Sequence, residues 1–469
     1  MNKFQISRLL PLVAALVLAG CVSVPPIDLS TLPQAPAAFK EGDGRWTVAA
    51  PAAATPRGDW WRAFADRDLD DLIARADRNN TNIQVAAARL AQARAIARIT
   101  DADRMPQLGV AAGAQRVEGY VNGTGGPARN FGVVGANLGY EVDLFGKLAR
   151  ASDAARLDAQ ASEALLQSTR LLVEAEVAQT YLALRAIDVE RALVRGTVAA
   201  YRDTLDLTER RFRAGDVAEL DVARAKTEVA ATESDLLALD RRRAALEHAL
   251  AVLVGEVTAS FDMPVAEWKT ALPVIPAGVP STVLTRRPDV SAAQYGMLSA
   301  QQRVGVAKAA WFPDVSLTAT GGYASPELGD LFKWSARAWG VGALLSLPIF
   351  DGGRRAAGVD NAAAQLDEAV GRYREQVLVA FRDVEDQLSE LRLLADQSKA
   401  QARAVDSAAR TTTLSDARYR NGFVSQLELL DARRSELRNR RQALQVRAAQ
   451  YQATVGLVRA LGGGWGDAT

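Results

Sequence analysis

The chain carries "RFRAGDVAELDVARA" at Arg211–Ala225 and "RYRNGFVSQLELLDA" at Arg418–Ala432. Both stretches read Arg, aromatic, Arg, any residue, Gly, then a Leu with an acid beside it. Gly422 lies 207 residues beyond Gly215 (422 − 215), and the offset holds elsewhere without a gap. It aligns "DADRMPQLGV" around Pro106 with "KAAWFPDVSL" around Pro313, and "NIQVAAARLAQAR" with "DVSAAQYGMLSAQ". It also aligns "GANLGYEVDLFGK" from Gly135 with "GALLSLPIFDGGR" from Gly342. Matches spread this widely argue for a duplicated structural unit, so each half is expected to hold the same elements in the same order.

Five segments follow. Residues 1–20 read as a signal peptide and 21–58 as an N-terminal linker. Residues 59–262 read as the first repeat, the Pro-rich stretch 263–280 as a linker, and 281–469 as the second repeat.

The bulk numbers exclude several function classes. The 469 residues are 49% hydrophobic but only 6% aromatic, so the apolar content is mostly Ala, Leu and Val, which favours long, closely packed helices. Lys+Arg is 56 against Asp+Glu 55, which argues against a nucleic-acid binder. One Cys and one His leave almost nothing for zinc, disulfide or thiol–imidazole chemistry. His248 has no second ligand near it. "RRR" at 241–243 and "RNRR" at 438–441 are interspersed with acids and read as solvated helix faces. No Gly-rich phosphate loop is present. The sequence is therefore read as a non-enzyme, with no cofactor and no metal.

The single Cys has a place. Lys3 and Arg8 precede the apolar run "LLPLVAALVLAG" and then Cys21. About a dozen apolar residues are too few to span a bilayer, so the run is a signal peptide. Its end, "LAGC", resembles a bacterial lipobox. That resemblance implies cleavage before Cys21 and a lipidated, palmitate-type N-terminus. Val22, rather than an Asp, implies an outer-membrane destination. An ordinary secretory signal with an incidental Cys is the alternative.

Within each half the periodicity changes twice. A helical stretch comes first, Asp68–Arg104 and then Thr282–Trp311, with Pro106 and Pro313 ending the pair. Period-two segments follow. Val134, Ala136, Leu138, Tyr140, Val142 and Leu144 share one face; Gly135, Asn137, Gly139, Glu141 and Asp143 share the other. Val341, Ala343, Leu345, Leu347 and Ile349 repeat that parity. Leu108, Val110 and Ala112, and likewise Val315, Leu317 and Ala319, lie on one face of the earlier strands. "GYVNGTGGPARN" and "GGYASPELGD" are read as Gly-rich loops joining each strand pair.

Two long helices close each half: Leu148–Phe212 and Leu220–Leu253, then Arg355–Tyr419 and Leu427–Leu461. About 60 residues make a rod of roughly 90 Å, which needs equally long partners. Val222, Val229, Leu236, Arg243 and Leu250 repeat by seven, as do Ala225, Thr232, Leu239, Leu246 and Leu253. Phe423, Leu430, Leu437, Leu444, Tyr451 and Val458 do the same, the signature of coiled-coil packing.

Strands of about 10 to 12 residues match membrane-barrel strands, yet four cannot close a barrel, and lipid forbids an open edge. Several chains must then share one barrel. A four-stranded soluble sheet is the other possibility.

"DWWRAFADRDLDDLI", "RRPDVSAAQYGMLSAQQRVGVAKAAWFPDVSL", "PIFDGGR", the second hairpin stretch and the terminal "LGGGW" resemble the outer membrane factor family, the TolC-like channels. With the lipobox, the chain resembles its NodT-type lipoproteins. The resemblance implies a mainly helical fold with four strands per chain, a homotrimer with a 12-strand barrel in outer membrane lipids, and a hollow periplasmic α-barrel. It further implies a passive exit duct for small molecules, including drugs, serving an RND-type inner-membrane pump through a periplasmic adaptor. Gly215 and Gly422 then end helices at hairpin tips. Asp216 with Glu219, and Ser425 with Glu428, are spaced as capping boxes for the next helices. By the resemblance, Gly215, Val217, Gly422 and Val424 match the adaptor-docking surface. Tyr419, Asp221, Glu428 and Asp431 match positions that line or latch the periplasmic aperture. Val424 stands where some members carry a latch arginine, a departure from the family's pattern. The exit channel of a type I protein secretion system, and a periplasmic coiled-coil scaffold without a pore, are the competing readings.

Overall fold

The structure is a computed structural model that describes residues 58–121, 124–275 and 286–463, with short pieces at 26–27, 32–33, 35–36 and 38–42. The signal segment and Cys21 lie outside the described residues. So do most of 21–58, the end of the 263–280 linker, and Gly464 and Trp465.

After a 3-10 turn at Trp60–Phe64, the two halves hold similar described elements, except that two helices precede the first strand pair and one precedes the second. They are α1 (Arg67–Asn79), α2 (Thr81–Ala102), β1 (Gln107–Val121), β2 (Thr124–Val142), α3 (Lys147–Arg213) and α4 (Glu219–Leu253). Then come α5 (Pro288–Ala309), β3 (Asp314–Ser325), β4 (Arg337–Ser346), α6 (Arg354–Arg420) and α7 (Gln426–Ala460). Helices α3 and α6 each have 67 residues, and α4 and α7 each have 35. No helix among the described residues is long and apolar enough to cross a membrane.

The first helical stretch is broken where the sequence suggests one helix. Asp66 caps α1, its side chain accepting from the backbone N–H of Asp68 and Leu69. Leu69, Leu72, Ile73 and Ala76 form its buried stripe. Asn80 then leaves the helical conformation, and its Oδ1 accepts from the N–H of Asn82 at 2.9 Å and Ile83 at 3.3 Å, starting α2. Helices α2 and α5 end at Ala102 and Ala309, a turn short of Pro106 and Pro313.

Two compact units are present. One comprises the described residues of Ala88–Glu163 and Ala292–Glu375. It holds the antiparallel sheet, ordered β1-β2-β3-β4. The register carries single faces across all four strands: Leu108 pairs with Leu138, Leu138 with Ala319, and Ala319 with Val341. Gly109, Asn137, Thr320 and Gly340 make a row on the opposite face. The alternation read from sequence is therefore the alternation of the sheet. The expected Gly-rich loops are largely strand: β1 runs to Val121, β2 begins at Thr124, and "GGYAS" belongs to β3. Glycine lowers strand propensity but does not forbid pairing, and the ladder carries through it. At Gly322 pairing requires it, since a Cβ there would lie 2.2 Å from the Val134 carbonyl oxygen. Away from the sheet, Met297, Ala300, Val304, Ala362 and Leu366 pack into a core.

The other unit comprises Pro33–Ala87, Ala164–Ser291 and Gln376–Thr469. Its helices pack through the heptad positions. Ile187, Val194 and Leu239 cluster with Leu236, Leu246 and Leu437, and Tyr201 and Val229 cluster with Leu430. Two heptad positions depart from that role. Arg243 pairs with Asp188 at 2.7 Å and Glu247 at 2.9 Å, and Phe423 precedes α7 and is exposed. A buried polar network lies nearby. Arg185, 1% exposed, donates to the Pro264 carbonyl at 2.7 Å and to Asp68 at 2.8 Å. Trp60 Nε1 donates to Glu174 Oε2 at 3.0 Å, and burial pushes the Glu174 carboxyl up to about 7.

Candidate functional site

Each long hairpin turns on a glycine in the left-handed region: Gly215 has φ +84° and Gly422 φ +76°. Asp216 N–H donates to the Arg211 carbonyl and Gly215 N–H to that of Phe212, both at 2.9 Å. Phe423 N–H donates to Arg418 at 2.9 Å and Gly422 N–H to Tyr419 at 3.0 Å. This paired closure is the Schellman motif, and its αL residue carries no penalty when it lacks a Cβ. Val217 and Val424 are half-buried one turn position beyond, while both glycines are exposed.

The helices after the turns start differently. Ser425 is the N-cap of α7, and its hydroxyl accepts from Glu428 N–H at 3.4 Å. Helix α4 is capped by Ala218, with no side-chain bond. The Asp216–Glu219 capping box is therefore absent. Asp216 sits two residues too early, and its backbone serves the preceding helix end instead. Glu219 and Asp221 lie in the first turn of α4, where the helix dipole favours acids.

The acids at the tips have distinct surroundings. Asp221 lies 3.7 Å from Arg224, and Asp431, 62% exposed, lies 3.3 Å from Arg434. Glu428 has no ion-pair partner among the described residues, and it shares one shallow groove with Asp431, Thr411, Ser415, Ser425 and Ser435. Tyr419 is buried rather than presented outward. The Arg211 guanidinium lies 4.8 Å from its ring centroid, and its hydroxyl is 3.4 Å from Thr208 Oγ1. Gln426 Nε2 donates to the same Thr208 oxygen at 3.1 Å. Tyr419 thus joins the two hairpins of one chain.

Sequence reasoning missed Arg433 and the Arg434–Glu228 pair. Arg433 Nη1 donates to the Ala200 carbonyl at 2.8 Å and also contacts Thr204; Nη2 donates to Asp416 at 2.9 Å. One guanidinium therefore ties α7 to α3 and α6. Arg434 Nε donates to Glu228 on α4 at 2.9 Å. These arginines look like ordinary solvated positions in "DARRSEL", because only the fold brings their partners near.

A sheet whose edges have no partner among the described strands, with one apolar face and long helical hairpins in the same chain, is the pattern of a membrane-channel subunit. The comparisons narrow that class. The model of the outer membrane efflux protein family matches residues 72–256 and 279–463. The "Probable efflux pump outer membrane protein TtgC" of Pseudomonas putida is 33% identical, over 97% of this chain and 95% of its own. The "Cation efflux system protein CusC" of Escherichia coli O6:H1 is 31% identical, over 98% of this chain and 99% of its own. Among solved structures, the outer-membrane channel OprN superposes with a TM-score of 0.86 at 29% identity, covering 95% of this chain and all of that one. The chain belongs to the outer membrane efflux protein family, a family of transport channels rather than enzymes, and is an outer membrane protein of efflux.

Proposed function

We propose that three copies of this chain close one 12-strand barrel in the outer membrane and form a passive exit duct, fed by an RND-type inner-membrane pump through a periplasmic adaptor. The observation that carries this reading is the sheet itself. Strands β1 and β4 are edges with no partner among the described strands. The exposed face bears Leu108 at 73%, Val110 at 80%, Trp339 at 77% and Val341 at 78% exposure. Such a surface is stable in lipid only if the edges pair with neighbouring copies. The duct is a duplicated unit. Element starts at Gln107 and Asp314, Lys147 and Arg354, and Glu219 and Gln426 each stand 207 apart (314 − 107, 354 − 147, 426 − 219), and the family model matches twice at the same spacing.

The same reading assigns Gly215, Val217, Gly422 and Val424 to adaptor docking, and Asp221, Tyr419, Glu428 and Asp431 to the aperture. Relatives named for cations and for efflux pumps support a duct whose cargo is chosen by its pump. Cys21 carries the lipid anchor, and residues 21–58 link it to the first repeat.

Native mass spectrometry in a mild detergent tests the assembly. Three chains are expected, and a stable monomer would remove the shared barrel. Radiolabelled palmitate tests the anchor: label lost in Cys21→Ser supports it, and unchanged label removes it.

A further inference from the structure

Arg447 on α7 has no carboxylate partner among the described residues. Its guanidinium carbon lies 4.4 Å from the Trp268 ring centroid and 5.9 Å from that of Tyr451. The two rings pack against one another, tilted by 40° with centroids 4.7 Å apart. Tyr451 is held in place, since its hydroxyl donates to the Thr270 carbonyl at 2.6 Å. Trp268 is 7% exposed, and its indole N–H is closed to solvent with no acceptor among the described residues. Two donor groups thus sit close together, neither with a hydrogen-bond acceptor among the described residues.

Arg447 also forms part of the wall of a groove of about 410 Å³, with Leu272, Ser398, Gln401, Ala443, Gln450 and Tyr451. Among the described residues it is the single charged side chain in that wall. Stacking over rings restricts a guanidinium to a plane, while its edge N–H groups stay available for two parallel bonds to an oxyanion. The amide nitrogens of Gln401 and Gln450 are used, donating to Asn439 and to the Leu394 carbonyl. Their amide oxygens accept no hydrogen bond among the described residues, and Ser398, which also lines the groove, makes none there either. Acceptors beside a pre-set cation suit a molecule with hydroxyls next to an acid group.

We propose that this groove binds a compact, hydroxyl-bearing organic acid, with its carboxylate on Arg447 and its hydroxyls on Gln401, Gln450 and Ser398. The volume suits a molecule of about one sugar ring. The site lies in one unit of one chain and does not depend on conduction through the duct, so it stands apart from the channel reading.

Isothermal titration of the full-length protein in detergent tests it, with glucuronate as probe, glucose as its neutral counterpart and inorganic sulfate as a bare anion. Saturable glucuronate binding is expected, with glucose and sulfate each weaker by about tenfold or more. Arg447→Gln should weaken glucuronate by about tenfold or more, and Arg447→Lys, which keeps the charge but loses the fork, should fall between. Arg447 is exposed, so both variants should keep the wild-type Tm and mass. Absent glucuronate binding, or equal affinity in Arg447→Gln, would overturn the site. Sulfate or glucose binding as tightly as glucuronate would overturn the organic-acid assignment.

Discussion

The side-chain amide of Asn80 donates to the carbonyl oxygen of Leu253 at 2.8 Å, closing the C-terminal end of α4. At the matching place 207 residues on, Arg287 Nη1 donates to the carbonyl of Ala460 at the end of α7, at 3.2 Å. Different side chains thus fill the same structural role. Backbone packing agrees: a Cβ on Gly255 would lie 2.4 Å from the Asn79 carbonyl oxygen, and one on Gly462 would lie 2.8 Å from that of Arg286. Asn80 also caps α2, so Asn80→Ala removes two roles at once. The expected loss is about 1–3 kcal/mol, seen as a Tm lower by a few degrees. Gly255→Ala should cost more, because its φ of +74° adds backbone strain to the clash. Thermal unfolding of the two variants checks both, and a wild-type Tm in Gly255→Ala would contradict this packing.

Glu174 makes stability depend on pH. Burial raises its folded-state value to about 7 from an ordinary 4.5, with Asp77 adding to the rise and Arg170 opposing it. The folded protein therefore holds a proton that the unfolded chain has released. Stability should fall as pH rises from about 4.5 to about 7 and then level off, a change on the order of 3 kcal/mol. Glu174→Gln keeps an oxygen for the Trp60 N–H and carries no charge. Its Tm should vary less over that window and exceed the wild type above pH 7. Parallel Tm–pH curves for the two proteins would rule the argument out.

Gly322 sets how closely β2 and β3 approach. An added Cβ would meet the Val134 carbonyl oxygen at 2.2 Å and Gly135 Cα at 2.4 Å, both backbone, so nothing soft can yield. Gly321 beside it has no neighbour within 4 Å of its own virtual Cβ. If three chains share one barrel as proposed, Gly322→Ala should therefore reduce recovery of the assembly, while Gly321→Ala assembles normally. Gel mobility of unheated and heated samples separates the two. Equal assembly would show that the strands can part.

Periodic features were the legible ones. The long helical stretch read as Leu148–Phe212 is α3, Lys147–Arg213, and the heptads over Val222–Leu253 fall within α4, Glu219–Leu253. Strand parity at Leu108, Leu138, Ala319 and Val341 becomes a row across the sheet. Features carried by one side chain were harder to read. Asn80 splits a continuous helical pattern because its short amide caps a new helix, whereas many other Asn residues sit within helices. Ala218 shows why a spacing rule failed: Asp216 and Glu219 have capping-box separation, yet the turn geometry puts a different residue at the cap. Arg433 was invisible because its partners at Ala200 and Asp416 come from two other helices.

The last prediction concerns the tip acids. Glu428 contributes its backbone N–H to the cap made by Ser425, so its carboxylate can be removed without losing that bond. Asp431 lies 3.3 Å from Arg434, but Arg434 also holds Glu228 through its Nε, so Asp431→Ala leaves that cation paired. Neither substitution should disturb hairpin packing. In the trimeric reading, three copies of each acid surround one axis, where they attract cations and repel anions. Asp431→Ala should then lower the potassium-to-chloride permeability ratio by about twofold or more, with Glu428→Ala acting in the same direction. If Asp431 also restrains the tip, conductance should rise as well. Reversal potentials under a KCl gradient measure the ratio, and native mass checks the assembly. An unchanged ratio in Asp431→Ala, with three chains still together, would mean that this carboxylate faces away from the pore.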